Sequence, residues 1–323
     1  MGEWRKVIPE SRDRLQSKVL VWVVAGILGL SAIYNRVSYV LYIHHVLQVL
    51  PYDAGHAILP GAIWHFLTPL IVSLTFGFLV WRTKSATPGG IFCGILICYS
   101  AIPYVRFADL PDSPLVPIVV LFLLTFTATK AGRQRKVALG VAEDRRGRNA
   151  AQVVANLGMA GLVAGTPWGL FVANHLGPTP WINHPWFEPV AWVGDAMFIA
   201  ALCEATADTV SSEIGQAFGG TPVLLTSFRR VPPGTDGAIS LLGTCAGVVA
   251  AILVALTVMW PMGGAFWEFL IGLLSGVAGF LFDSWLGATV ERKGWLGNDL
   301  VNFSSTVFAV LVALVLAIVF LRQ

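Results

Sequence analysis

Charge is the scarcest resource in this chain. Only 12% of its 323 residues are Asp, Glu, Lys or Arg, against 56% hydrophobic, and the mean hydropathy is +0.72. Soluble domains carry about 25% charged residues, so a soluble globular protein is excluded. Cysteine is also sparse. Cys93, Cys98, Cys203 and Cys245 each sit inside an apolar run, with no CxxC pair and no zinc spacing. Packing as small hydrophobic side chains accounts for all four. Neither a Walker A sequence nor a kinase-type glycine-rich loop is present, which excludes the soluble phosphate-loop architectures. No small-residue cleavage site follows the first apolar run. The basic leader Arg5, Lys6, Arg12, Arg14 and Lys18 is therefore expected to be a cytoplasmic tail before a retained helix.

What remains is hydrophobic runs long enough to cross a bilayer, which takes about 20 apolar residues each. Such runs lie near 19–40, 60–80, 90–107, 114–130, 150–173, 189–208, 237–260, 266–290 and 302–321. The expected fold is all-α and polytopic, with about nine transmembrane helices. A cytoplasmic N-terminus places 18 of the 21 Lys and Arg on the inner side, leaving only Arg36, Arg106 and Arg322 outside. Residues 1–129 form an N-terminal membrane region of about four spans with little legible chemistry. His44, His45, His56 and His65 lack a helical ligand pair supported by carboxylates and are expected to pack or sit at the interface. Asp109 and Asp112 are expected in a turn, Trp181 and Trp186 as interfacial anchors, and Asp195 as a structural acid.

The chemistry is concentrated in residues 130–323, a membrane domain of about five spans. A basic inner loop runs from Lys130 to Arg148, which topology and attraction to anionic lipid explain in part. Asn149, Gln152 and Asn156 follow at i, i+3, i+7, a polar stripe on an apolar helix that lines either a helix interface or a cavity. Glu204 and Asp208 share a helix face that Ser212 continues, and Glu213 follows. Acids near a helix C-terminus oppose its partial negative charge unless a cation compensates. Several there argue for a bound ion, and sparse oxygen ligands suit Mg²⁺. Arg229-Arg230 and Pro232–Gly237 precede the next helix. That turn reads as an anion site built from backbone NH groups, as a helix entry capped by Thr235 or Asp236, or as both. Asp283-Ser284 repeats the pattern of Asp208-Thr209, each followed by an acid, a basic pair and a new helix. This is a weak parallel repeat whose acidic ends would face one another. Asn298, Asp299 and Asn302 open the last span with further oxygens. Gly161/Gly165, Gly243/Gly247 and Gly272/Gly276 permit close helix approach.

The blocks Arg145–Asn156 (RRGRNAAQVVAN), Ala207–Gly215 (ADTVSSEIG), Arg230–Gly243 (RVPPGTDGAISLLG), Asp283–Thr289 (DSWLGAT) and Asn298–Ser305 (NDLVNFSS) resemble the integral-membrane family of the plant phytyl-phosphate kinase of tocopherol synthesis. That family has uncharacterised animal, archaeal and bacterial relatives, and the resemblance covers about residues 130–323. It implies phosphoryl transfer from a nucleoside triphosphate, with CTP the donor for the plant members, to an isoprenoid monophosphate. On this reading Asp208, Glu213, Asp283 and Asp299 hold Mg²⁺ with Asn298 and Asn302 assisting, and Asp208, Asp283 and Arg230 are the catalytic residues. Arg148, Arg229 and Arg230 bind the triphosphate or the acceptor phosphate, with Ser212 and Thr235 beside the nucleotide. Asn149, Gln152 and Asn156 line the groove for the lipid. Glu204 is not a position associated with a fixed acid in the family. The expected partners are the lipid phosphate, the nucleotide and the membrane, with no nucleic acid. Cytidylyl transfer onto a lipid phosphate and secondary transport stand as alternatives.

Overall fold

A computed structural model describes residues 8–49, 52–102, 107–142, 147–165, 187–260, 262, 264 and 266–321. The expected anchors Trp181 and Trp186, the end of the fifth apolar run, and Arg106, Arg145 and Arg146 lie outside the described residues. Among the described residues there are ten α-helices. These are α1 (Glu10–Val49), α2 (Tyr52–Arg82), α3 (Pro88–Ala101), α4 (Leu115–Lys130), α5 (Arg133–Ala138), α6 (Ala150–Gly165), α7 (Phe187–Phe218), α8 (Leu241–Met259), α9 (Phe266–Leu286) and α10 (Asn298–Leu321).

The chain is an integral membrane protein of the all-helical kind. Among the described residues, five stretches are long and apolar enough to cross a membrane: Glu10–Gln48, Pro60–Arg82, Leu241–Met259, Phe266–Glu291 and Asn298–Phe320. Pro88–Ala101, Leu115–Lys130 and Ala150–Ala164 are shorter apolar helices. Leu15, Trp22, Leu30 and Leu41 on α1 face outward, as side chains that meet lipid rather than water do.

α7 is the axis of the bundle, packed by α4, α6, α8, α9 and α10. Ala196 to Cys203 of α7 is buried throughout, and its small residues let neighbouring backbones approach. The glycine pairs do the same from the other side. A Cβ at Gly247 of α8 would stand 2.6 Å from the Ala207 carbonyl oxygen, and one at Gly243 2.5 Å from that of Ser211. On α9, a Cβ at Gly272 would stand 2.6 Å from Ile199 Cγ2, and one at Gly276 3.0 Å from the Ala200 carbonyl oxygen. Such contacts leave no room for any side chain.

Two elements depart from the apolar pattern. The seventh run was expected to become helical at 237, but residues 238–239 pair antiparallel with 223–224, Val223 opposite Ile239 and Leu224 opposite Ala238. The helix therefore begins at Leu241, and its N-cap is Ser240, whose Oγ accepts from Gly243 N at 3.1 Å. Neither Thr235 nor Asp236 caps it. The eighth run leaves α-geometry at Gly287 and closes as a π-turn, Gly287–Glu291. Gly237, at φ +69°, lies against that turn, where a Cβ would stand 2.5 Å from the Ser284 carbonyl oxygen. Leu224, Val231, Ala238 and Ala288 pack together and fasten the hairpin to the end of α9.

Candidate functional site

The C-terminal ends of α7 and α9 and the N-terminal ends of α6, α8 and α10 come together at one end of the bundle. Between them opens a polar cavity of about 400 Å³. Asp208 of α7 and Asp283 of α9 both line it, each half-buried, so carboxylates from parallel helices share one hollow. Arg148, Gln152 and Asn156 enter from the start of α6, Asn298 and Asn302 from the start of α10, and Ser212 and Glu213 from beyond Asp208. The turn Pro233–Gly237, Thr235 included, closes the side facing α8.

Glu204 lies one turn deeper than Asp208 and is 1% exposed. Its carboxylate is met by Ser305 Oγ at 2.6 Å and Thr306 Oγ1 at 2.8 Å, and Ser305 Oγ is also 3.1 Å from Asp283 Oδ2. Glu204, Asp208 and Asp283 are close enough to repel one another electrostatically, and the Arg148 guanidinium acts on Asp208 in the opposite sense. Arg148 also makes a long hydrogen bond, 3.4 Å, to Thr209 Oγ1. Among the described residues Arg148 is the one Lys or Arg side chain in the wall, against carboxylates at Asp208, Glu213, Asp236, Asp283 and Glu291.

Four of the expected site residues are not brought to this cavity. Arg229 and Arg230 are exposed on the returning arm of a tight hairpin, where Val231 N bonds the Pro222 carbonyl at 3.0 Å and Leu224 N that of Arg229 at 2.9 Å. Asp299 turns toward α1 and accepts from Ser17 Oγ at 2.6 Å. Asn149 caps α6, its Oδ1 accepting from Gln152 N at 3.0 Å while its own N–H donates to Gln152 Oε1 at 2.9 Å. Glu213 reaches the wall but is already engaged in an ion pair with Lys136, whose side chain is 1% exposed. Lys136 Nζ also donates to the Thr129 carbonyl at 2.8 Å and the Ala128 carbonyl at 3.3 Å, and Thr129 Oγ1 bonds Glu213 at 3.3 Å. Asp208 and Asp283 thus close parallel helices onto one cavity that Glu213 and Glu291 also line, whereas the basic pair Arg229–Arg230 stands outside it.

Sequence reasoning missed Lys136, Ser305 and Thr306. No local signal marks Lys136 apart from the other cations of its loop. Ser305 and Thr306 could have been found, since they follow Asn302 by three and four residues and continue its helix face.

Gly147 explains how Arg148 is placed. Its φ is +75°, and a Cβ there would stand 2.7 Å from Ala86 N. The chain lies flat on the α2–α3 turn, Arg148 N donating to the Ser85 carbonyl at 3.0 Å and Thr87 N to the Arg148 carbonyl at 2.9 Å.

The fold and site define a membrane-embedded helical bundle with an anionic, oxygen-lined cavity at one end. The chain belongs to the family described as Integral membrane protein DUF92, which it matches over residues 71–310. That match reaches α2, well before the stretch from residue 130 that carries the motifs. Protein VTE6, chloroplastic, of Arabidopsis thaliana is 32% identical over 207 residues, covering 62% of this chain and 57% of the relative. An uncharacterized membrane protein of Methanocaldococcus jannaschii is 44% identical over 110 residues, 34% of this chain and 46% of its own. Protein PGR of Arabidopsis thaliana is 28% identical over 246 residues, 70% of this chain and 79% of that protein. The chain therefore spans little more than half of the first relative and under half of the second. No solved structure matches it.

Proposed function

We propose that this protein transfers the γ-phosphoryl group of a nucleoside triphosphate, CTP, to an isoprenoid monophosphate, yielding the diphosphate and CDP. The observation that carries the reading is the shared cavity of Asp208 and Asp283, faced by Arg148, at one end of a membrane bundle. The resemblance to the phytyl-phosphate kinase family and the similarity to Protein VTE6 supply the reaction class.

Phosphoryl transfer asks a protein mainly for positioning and charge neutralisation. An acceptor phosphate oxygen attacks the γ-phosphorus, and the bond to the β-bridging oxygen breaks with CDP as leaving group. The acceptor is its own nucleophile, so no base is needed. Arg148 is placed to hold phosphate oxygens at the cavity wall, and the turn Pro233–Gly237 bounds the nucleotide side. The donor set fits Mg²⁺. It is all oxygen, from Asp208, Asp283 and Asn302, with no histidine or cysteine among the described residues that line the cavity. Among the described residues no three of His, Cys, Asp and Glu form a ready-made metal cage. Mg²⁺ in phosphate enzymes is typically held by one or two carboxylates with waters and substrate phosphates completing the shell. Bound there, it would neutralise charge on the triphosphate. We further propose nine spans, a cytoplasmic N-terminus and a cavity open to the cytoplasm, in keeping with the distribution of Lys and Arg.

The test is product analysis. Purified protein with Mg²⁺, CTP and farnesyl or phytyl monophosphate should release CDP and the diphosphate lipid. Release of pyrophosphate would instead establish cytidylyl transfer, and substrate uptake into sealed vesicles without nucleotide turnover would establish transport. Asp208→Asn and Asp283→Asn should each lower kcat by about a thousandfold, equivalent to losing about 4 kcal/mol of charge stabilisation.

A further inference from the structure

A second cavity, of about 120 Å³, opens between α2, α3, α4 and α6, and its character is the reverse of the first. Its interior is apolar and aromatic, with Phe76, Leu121 and Phe122 among its walls. Its rim carries Lys84, Lys130, Arg133 and Arg148, and among the described residues no carboxylate lines it. Among the described residues Lys84, Lys130 and Arg133 take part in no ion pair. Lys130 rests over the Phe126 ring at 5.2 Å, which turns its ammonium across the aromatic wall. Lys84 sits in the α2–α3 turn at φ +54°, a conformation rare outside glycine, and that turn is pinned to Gly147–Arg148 by the hydrogen bonds described above. Arg148 and Asn156 line both cavities. The apolar groove and the acidic hollow thus meet at a common wall.

We infer that this groove is the seat of the isoprenoid monophosphate, a reading that rests on the phosphotransferase assignment and extends it to the acceptor. The chain's first isoprene units lie between α2, α3, α4 and α6. The phosphate sits at the basic rim with Arg148, next to the hollow that holds the nucleotide. Charge complementarity selects this occupant. An apolar trench with four cations at one end, and no acid among its described lining residues, suits an anionic amphiphile and disfavours a neutral lipid. Ile118 and Lys130, both lining residues, are 12 apart on α4, which spans about 18 Å at 1.5 Å per residue. The groove therefore takes only the head-proximal part of a long tail, and the remainder leaves into the bilayer. This also assigns work to α2 and α3, which carry none of the motif residues. The lipid seat differs from the expected one: of Asn149, Gln152 and Asn156, only Asn156 lines the groove.

Gly94 of α3 supplies the test, because it lines the groove and a Cβ there meets nothing within 4 Å. Gly94→Ala adds one methyl to open space, while Gly94→Leu and Gly94→Phe project into the trench from a helix that need not move. Binding of radiolabelled farnesyl monophosphate to the full-length protein in nanodiscs should weaken at least about tenfold in Gly94→Phe and detectably in Gly94→Leu. The double variant Lys84→Ala/Lys130→Ala should lose a similar factor for farnesyl monophosphate but none for farnesol. In turnover, Gly94→Phe should raise KM for farnesyl monophosphate more than KM for dimethylallyl monophosphate, whose single isoprene unit fills less of the trench. Wild-type affinity in both Gly94→Leu and Gly94→Phe, with CDP still formed, would overturn the groove and leave the phosphotransferase intact. The expected binding losses with no nucleotide turnover would uphold the groove and remove the reaction. Should Gly94→Phe fail to fold, Gly94→Leu and the lysine pair decide alone.

Discussion

Lys136 and Glu213 meet across 77 residues of sequence, and their pairing decides which acids of the cavity are available. Removing one partner of a buried ion pair leaves an uncompensated charge and costs about 3–5 kcal/mol, whereas removing both can be nearly neutral. Lys136→Met should accordingly lower the melting temperature of the detergent-solubilised protein sharply, and Lys136→Met/Glu213→Gln should restore most of it. A full catalytic loss in Glu213→Gln at unchanged stability would return Glu213 to the metal site. Glu204 calls for a different experiment. The Ser305 and Thr306 hydroxyls that meet it also lie 2.8 Å and 2.7 Å from the Asn302 carbonyl, so they keep a partner when the carboxylate is altered. Glu204→Gln should leave melting nearly unchanged and raise the Mg²⁺ needed for half-maximal turnover about tenfold. A tenfold change is about 1.4 kcal/mol, within what one nearby charge contributes at an effective dielectric near 20. An unshifted Mg²⁺ dependence would make Glu204 a packing residue. Asp208 and Asp283 were legible in the sequence because acids are rare here, 18 Asp and Glu in 323 residues. Lys136, one of seven Lys and Arg between positions 130 and 148, was not, because only its tertiary surroundings single it out.

At the scale of elements, the glycines divide into two kinds that look alike in sequence. Gly243 and Gly247 press the α8 backbone onto α7, and Gly272 and Gly276 do so for α9. Gly29 on α1 and Gly94 on α3 have open space where a Cβ would go. Gly247→Val should push α8 away from Ala207, at an overpacking cost of about 1–3 kcal/mol or more, and pull the Ser240 cap away from the cavity. Gly29→Ala should be neutral or stabilise by about 0.5–1 kcal/mol, since it removes a flexible residue from a helix interior. Thermal melting of the two variants in one detergent checks both, and equal melting would mean that the α7–α8 contact can relax. Apolar runs located the helices well because a bilayer demands unbroken hydrophobic length. The hairpin at 223–239 escaped notice because only two residue pairs form its ladder, and the seventh apolar run continues through its second strand. The swing of Arg229 and Arg230 away from the cavity follows from that hairpin.

For the whole molecule, the governing question is which compartment the acidic hollow faces, because the nucleoside triphosphate proposed as donor would be supplied from one side only. Lys and Arg decide this in membrane insertion, and here their helix ends are the ones that surround the cavity. Arg148 pairs with Ala86 of the α2–α3 turn that holds Lys84, and Gln16 of α1 reaches the start of α10 through Gly297 N at 2.9 Å. The chain also offers a quiet background for measuring it. Cys93, Cys98 and Cys203 are buried and Cys245 is exposed, so Cys245→Ser leaves only shielded thiols. Ser227→Cys, at the exposed hairpin beside the cavity, should then react with a membrane-impermeant maleimide in inverted vesicles but not in intact cells. Trp260→Cys, beyond the C-terminus of α8 and 82% exposed, should show the opposite pattern. If Ser227→Cys reacts from outside, the cavity opens away from the nucleotide pool. Asp208 and Asp283 would then be facing a compartment without CTP, and a transport pathway would fit their position better than phosphoryl transfer.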